Sequence, residues 1–295
     1  MKYLVQLNDL NLIDELLKRQ IFGIVVGVEV YSNGQALNLS CQEIENLVKK
    51  VQDKTKIYVL MNQLYHEYKL DQLAKVLEKL ANSHIDGVFF QDFGLLNLVK
   101  QNQYDLNLIY QPDTLNTNHQ TLNTLKDMGV DGFMLSSQLH EDEVKEIVKK
   151  TNAMTIVQIH GVQYISCSRR KLLTNYFEVL KQNRPTDYKQ NYIMKVSNSE
   201  DYSYIYEDDY GTHVYTVNEL CTLDKNLDNE YGYIETLYLD PQYVLEVIDA
   251  YQNKISEKDF IEQHPSHHFD HGFLDDGTVY KIEDVRRLEA NETNK

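Results

Sequence analysis

FGIVVGVEV (Phe22–Val30) followed by SCQEIENLVKKV (Ser40–Val51) is the stretch that decides the fold. The first segment is an apolar run of strand length. The second opens with Ser40 and Glu43 in capping-box spacing and carries Ile44, Leu47, Val48 and Val51 on one helical face. A strand then a helix is one unit of a parallel α/β fold, and the unit recurs along the chain in both directions. Leu4–Leu7 precedes it as a first strand, with Leu10, Ile13, Leu16 and Leu17 behind. KIYVLMN (Lys56–Asn62), DGVFFQD (Asp86–Asp92), LNLIYQ (Leu106–Gln111), DGFMLSS (Asp131–Ser137) and MTIVQIHG (Met154–Gly161) follow, each with a helical pattern after it. YIETLYL (Tyr233–Leu239) is an eighth strand, and Asp240–Pro241 opens the last helix.

Eight such units predict a (β/α)₈ barrel of the TIM type. The rhythm breaks between the seventh and eighth, where a helix near Arg170–Leu180 precedes NYIMKV, DYSYIYED and GTHVYT. These are read as short antiparallel strands around turns at Ser197–Asp201 and Asp208–Gly211. The expected organisation is a barrel domain over 1–255, a β-rich insertion at about 165–230, and a polar arm over 256–295.

The chain of 295 residues is 42% apolar, enough for a sizeable core and too short for two full-size enzymes in series. No apolar run reaches membrane-spanning length, and the N-terminus reads as a strand rather than a signal peptide. Three dispersed cysteines (Cys41, Cys167, Cys221) argue against a disulfide framework and for the cytoplasm. The net charge of −16 disfavours autonomous nucleic-acid binding, with Arg169, Arg170 and Lys171 as a local exception. The 22 tyrosines and absent tryptophan suit half-buried surfaces and interfaces. General signatures of serine hydrolases, zinc proteases, NTPases and dinucleotide enzymes are missing.

Active groups of a parallel barrel lie at the C-terminal ends of its strands. Those ends carry Glu29, Asn62, Asp92, Gln111, Ser136 and His160–Gly161, the candidate substrate-binding rim. Cys167 with His160 is a candidate nucleophile and base. HPSHHFDHGF (His264–Phe273) is either a metal-binding tract or a polar arm.

QIHGVQYISCSRRKLLTNYF (Gln158–Phe177), joined to YEDDYGTHVYTVNELC (Tyr206–Cys221), resembles the U-thirty-two peptidase family, the collagenase-like peptidases. The resemblance spans about residues 1–280 and is nearest to a short paralogue of low-GC Gram-positive bacteria that pairs with a longer one. It implies tRNA hydroxylation, forming 5-hydroxyuridine at the wobble position with prephenate dependence. Related members act in ubiquinone and ribosomal RNA hydroxylation. It marks His160, Glu207, Asp208 and Arg169 as catalytic candidates, and Gly161, Arg170 and Thr212 as substrate contacts.

In the hydroxylating branch four cysteines are thought to hold an iron–sulfur cluster. Those positions map here to Tyr164, Lys171, the cysteine-free stretch Asn183–Gln190, and Cys221. The expectation is that this chain alone holds no cluster, that a longer paralogue carries it, and that tRNA is reached through their complex. A collagenase-like peptidase, or a non-catalytic barrel binding a small anionic metabolite or a partner, are the alternatives.

Overall fold

In the computed structural model, residues 1–195 and 202–275 are described. The predicted turn at Ser197–Asp201 and the end of the arm lie outside them. The strands are β1 (Lys2–Gln6), β2 (Gly23–Val28), β3 (Asn38–Leu39), β4 (Lys56–Met61), β5 (Gly87–Phe90), β6 (Asn107–Tyr110), β7 (Gly132–Met134) and β8 (Met154–Ser168). They continue with β9 (Tyr192–Lys195), β10 (Tyr202–Glu207), β11 (Thr212–Cys221), β12 (Tyr231–Ile234) and β13 (Phe269–Asp270). Eight of them run parallel in the order β12, β1, β2, β4, β5, β6, β7, β8. β12 also pairs with β8, Tyr231 opposite Ile156, which closes the ring. The fold is the expected (β/α)₈ barrel with extra strands outside.

Helices α1 (Ile13–Lys18), α2 (Cys41–Val51), α3 (Leu70–Asn82), α4 (Phe93–Asn102), α5 (His119–Asp127), α6 (Glu141–Lys150) and α8 (Pro241–Asn253) form the outer layer. The capping box of α2 is present: the Glu43 carboxylate accepts from the Ser40 backbone N–H at 2.8 Å, and Ser40 Oγ accepts from the Glu43 N–H. Asp240 caps α8 by accepting from the Gln242 N–H, with Pro241 in the first turn. Alternate residues of each strand feed two cores. Leu4, Val25, Tyr58, Leu60, Phe89, Ile109, Met134, Ile156 and Tyr233 fill the barrel interior. Val5, Ile24, Val59, Val88 and Leu108 face the helices.

β8 differs from expectation. Instead of ending at Gly161 it continues to Ser168, pairing with β7 and β12 in its first half and with antiparallel β11 in its second. The bend is at Gly161, whose φ of +96° suits glycine; a Cβ there would meet the Glu235 carbonyl oxygen at 2.2 Å. β9, β10 and β11 form the antiparallel insertion, with α7 (Leu172–Val179) leading into it. The arm runs along the outside: α9 (Glu257–Gln263) buries Phe260, and β13 pairs with β11. Among the described residues no helix is long and apolar enough to cross a membrane.

Candidate functional site at the barrel mouth

The strand ends enclose a cavity of about 50 Å³ above the interior core, room for a few waters or one small group. Leu60, Met134 and Tyr233 form its floor. Its polar wall comes from Asn33 and Gln35 after β2, Asn62 after β4, Gln111 and Asp113 after β6, Gln158 and Tyr164 on β8, Tyr215 on β11 and Glu235 after β12. Gly34 lets the insertion close over it: with φ of +71°, its missing Cβ leaves room for the Tyr215 hydroxyl, which would stand 2.1 Å away. Tyr206, Tyr215, Tyr204, Tyr188 and Tyr238 pack into a roof, with Tyr204 stacked on Tyr238 at 4.4 Å between centroids. Part of the tyrosine excess thus builds the cover of the mouth.

The wall carries acid and no base. Among the described residues no Lys, Arg or His lines the cavity. Glu235 accepts from the backbone N–H groups of Thr236 (2.9 Å) and Leu237 (3.0 Å) through one oxygen. Burial outweighs those bonds and pushes its carboxyl up to about 7. Burial likewise pushes Asp113 up to about 7. Asp113 sits in left-handed backbone (φ 59°) and its carboxyl accepts no hydrogen bond from the described residues. Among the described residues, three further polar atoms of this wall lack partners: Asn33 Oδ1, Gln111 Oε1 and the Tyr233 hydroxyl. Gln6 beside Tyr233 is already engaged, donating to Gln35 at 2.8 Å and accepting from Thr236.

Of the residues predicted from sequence, Asn62 and Gln111 line this cavity. Ser136 is buried beside it, where its hydroxyl accepts from the Gln138 N–H. The others lie elsewhere. Glu29 is exposed in the turn after β2. Asp92 is not a strand end, because β5 stops at Phe90; its carboxylate caps α4 and accepts from the Tyr65 N–H at 2.8 Å. Glu207 sits at the start of α7, accepting from the Leu173 N–H (3.0 Å), Thr174 and the Thr212 hydroxyl (3.1 Å). Asp208 closes the β10–β11 turn through the N–H groups of Tyr210 and Gly211 and bonds His213 at 2.9 Å. Arg169 lies over the Tyr210 ring, 4.1 Å from its centroid, and both it and Arg170 are exposed.

His160 points the other way, into the helical layer among Tyr243, Tyr251, Phe260 and Phe269. Its Nε2 faces Glu219 at 3.2 Å, Tyr243 donates to the same carboxylate at 3.0 Å, and Nδ1 has no partner. Burial lowers the His160 pKa, so the ring is a neutral donor. His160 lies opposite Cys221 at one end of β11 and Cys167 opposite His213 near the other, so they form no nucleophile–base pair. The arm histidines separate onto different carboxylates: His264 on Glu246, His267 on Glu219, His271 on Glu257 and Asp275. Among the described residues no three metal-ligating side chains converge.

A model of Peptidase family U32 matches residues 8–276. The chain belongs to that family. It is 27% identical to tRNA hydroxylation protein P2 of Bacillus subtilis, over 78% of each chain. tRNA hydroxylation protein P of Haemophilus influenzae is 29% identical over 52% of this chain, and the match spans 32% of that protein. tRNA hydroxylation protein P1 of Bacillus subtilis is 23% identical over 55% of this chain and 39% of its own length. The chain therefore matches P2 over most of its length and only about a third of the other two.

The four-thiolate set implied for the hydroxylating branch does not fit these residues. Tyr164 faces the mouth cavity, and Lys171 bonds the Asp208 carbonyl. Cys221 is fully buried against the helical layer, where burial pushes its thiol up to about 12. A carbonyl-bonded lysine, a tyrosine and one sequestered thiol are not a cluster donor set.

The missed residues share a cause. Glu235 follows the strand-end rule, but the apolar run Tyr233–Leu239 hid the true end of β12 at Ile234. Asp113, Asn33 and Gln35 sit on loops, where periodicity carries no signal.

Proposed function

We propose that this chain is the cluster-free member of a pair of family proteins that hydroxylates tRNA in the cytoplasm. The product is 5-hydroxyuridine at the wobble position, and the partner is a longer, iron–sulfur-bearing paralogue. One observation carries the reading: the chain keeps the family's barrel over 8–276, yet tyrosine, lysine and a buried thiol occupy thiolate positions. Relatives named P1 and P2 occur together in one Bacillus strain, which supports a paired arrangement.

The insertion supplies a face for such a partner. Leu172, Tyr176 and Val179 on α7 and Leu180 just after it are 45%, 57%, 83% and 45% exposed, and their spacing makes one stripe. An exposed apolar stripe on a helix marks a protein contact. The rim arginines Arg169 and Arg170 stand at the start of the same helix, where phosphate can reach them. Among the described residues the candidate pair His160 and Cys167 does not meet, so the peptidase reading gains no support from it.

The test is mass spectrometry of tRNA nucleosides after deleting this gene, alone and with the longer paralogue. Loss of wobble hydroxyuridine in the double deletion, restored only by both genes, is the expected result. An unchanged level in the double deletion rejects the reading. Tyr176→Asp with Val179→Asp is expected to abolish anaerobic co-purification with the paralogue while the circular dichroism spectrum is unchanged.

A further inference from the structure

The mouth cavity holds two acids and, among the described residues, no cation. Asn33 is 7% exposed and Tyr233 is 1% exposed, and each aims an unpartnered polar atom into the same enclosed space. A buried polar atom left unpaired costs free energy that a native fold rarely leaves unrecovered, so several converging on one enclosed space point to something that binds there. Gln111 Oε1 is a third, and the Asp113 carboxyl on the same wall accepts no hydrogen bond from the described residues. Glu235 turns one oxygen to the backbone, and its other partner among the described residues is the neutral Gln6 amide, not a cation.

We propose that this cavity binds a primary ammonium group, held by the carboxyls of Asp113 and Glu235 and the side-chain carbonyls of Asn33 and Gln111. An ammonium group has three donors, no acceptor and a full positive charge, the complement of this wall. A cavity of about 50 Å³ admits such a head group, whereas a ring the size of benzene occupies cavities of about 150 Å³. The raised carboxyls are consistent with it: two acids face one space with no cation to hold them ionised. The ammonium is either a free amine or the end of a longer molecule. The inference stands apart from the tRNA reading, since a deletion phenotype does not depend on what fills this cavity.

The probe is methylammonium chloride at about 100 mM and pH 8, with thermal unfolding followed by circular dichroism against equal sodium chloride. A rise in Tm of roughly 2–4 °C over sodium chloride is expected. It should vanish in Asp113→Asn and in Glu235→Gln. Calorimetry on the unmutated protein at pH 7, in two buffers of different ionisation enthalpy, should show proton release on binding. That measurement decides the matter if either variant fails to fold. No rise over sodium chloride overturns the proposal. So does an equal rise with bulky tetramethylammonium, or one that persists in both variants. A larger rise with sodium acetate, accompanied by proton uptake, would make the cavity an anion site instead.

Discussion

Two buried clusters of tyrosine and acid lie on opposite sides of β8, and they differ in whether the protein partners their acids. Outside the barrel, Glu219 is fully engaged: His160 at 3.2 Å and Tyr243 at 3.0 Å meet one oxygen, and His267 at 2.6 Å meets the other. Although burial works against it, those histidines hold the Glu219 carboxylate below its usual range. Inside the mouth, no histidine, lysine or arginine of the described residues meets Glu235 or Asp113, and burial raises both. The outer cluster is a clasp that fastens the arm, since β13 pairs beside Glu219 and Phe260 packs on His160. The inner one is open chemistry. A buried acid partnered by its own chain reads as architecture, and one left without a cation reads as a site.

Gly161 separates the two regions, and its replacement should have the largest effect. Gly161→Ala forces a side chain into left-handed backbone and onto the Glu235 carbonyl. A loss of about 4 kcal/mol is expected, read from the urea midpoint. A loss under about 1 kcal/mol would show that β8 does not need its bend.

Next comes the clasp. Glu219→Ala strands His160 and Tyr243 without their shared acceptor, so a loss of about 3 kcal/mol is expected. Limited proteolysis should then cut the arm after Ile255 faster than in the unmutated protein. Unchanged cleavage would separate the clasp from arm docking.

The cavity acids give a smaller effect of opposite sense. The Glu235 carboxyl rises from 4.5 to about 7 on folding. Between those values the folded state holds more protons than the unfolded one, so stability falls as pH rises through that window. Glu235→Gln should flatten this fall, leaving the variant more stable at pH 8 by on the order of 2 kcal/mol. Parallel pH profiles for the two proteins would contradict the unpaired state of the acid.

The smallest effect is kinetic. Cys221, fully buried with its thiol pushed up to about 12, should resist thiol reagents until the chain unfolds, while the partly exposed Cys41 and Cys167 react first. Early labelling of Cys221 would show that the clasp region opens.

Much of the fold was legible because its signals are local. The Ser40–Glu43 box and Asp240–Pro241 each act within a few residues, and both appear as read. The insertion was legible from the break in rhythm, and the Asp208–Gly211 turn from its residue types. Site residues were less so. Asn62 and Gln111 followed from the strand-end rule, while Asp92 failed because its strand stops at Phe90 and its carboxylate caps a helix instead. Glu207 and Thr212, marked by motif, hold the start of α7.

The sequence by itself determined the eight strand–helix units, their caps and the family, because hydrophobic period and capping chemistry are written within a dozen neighbouring residues. Only the tertiary structure decided which way each polar strand tip faces. Adjacent strand residues point to opposite sides, so one residue of register, or the bend at Gly161, sends His160 to the helices and lets Val162 and Tyr164 reach the mouth.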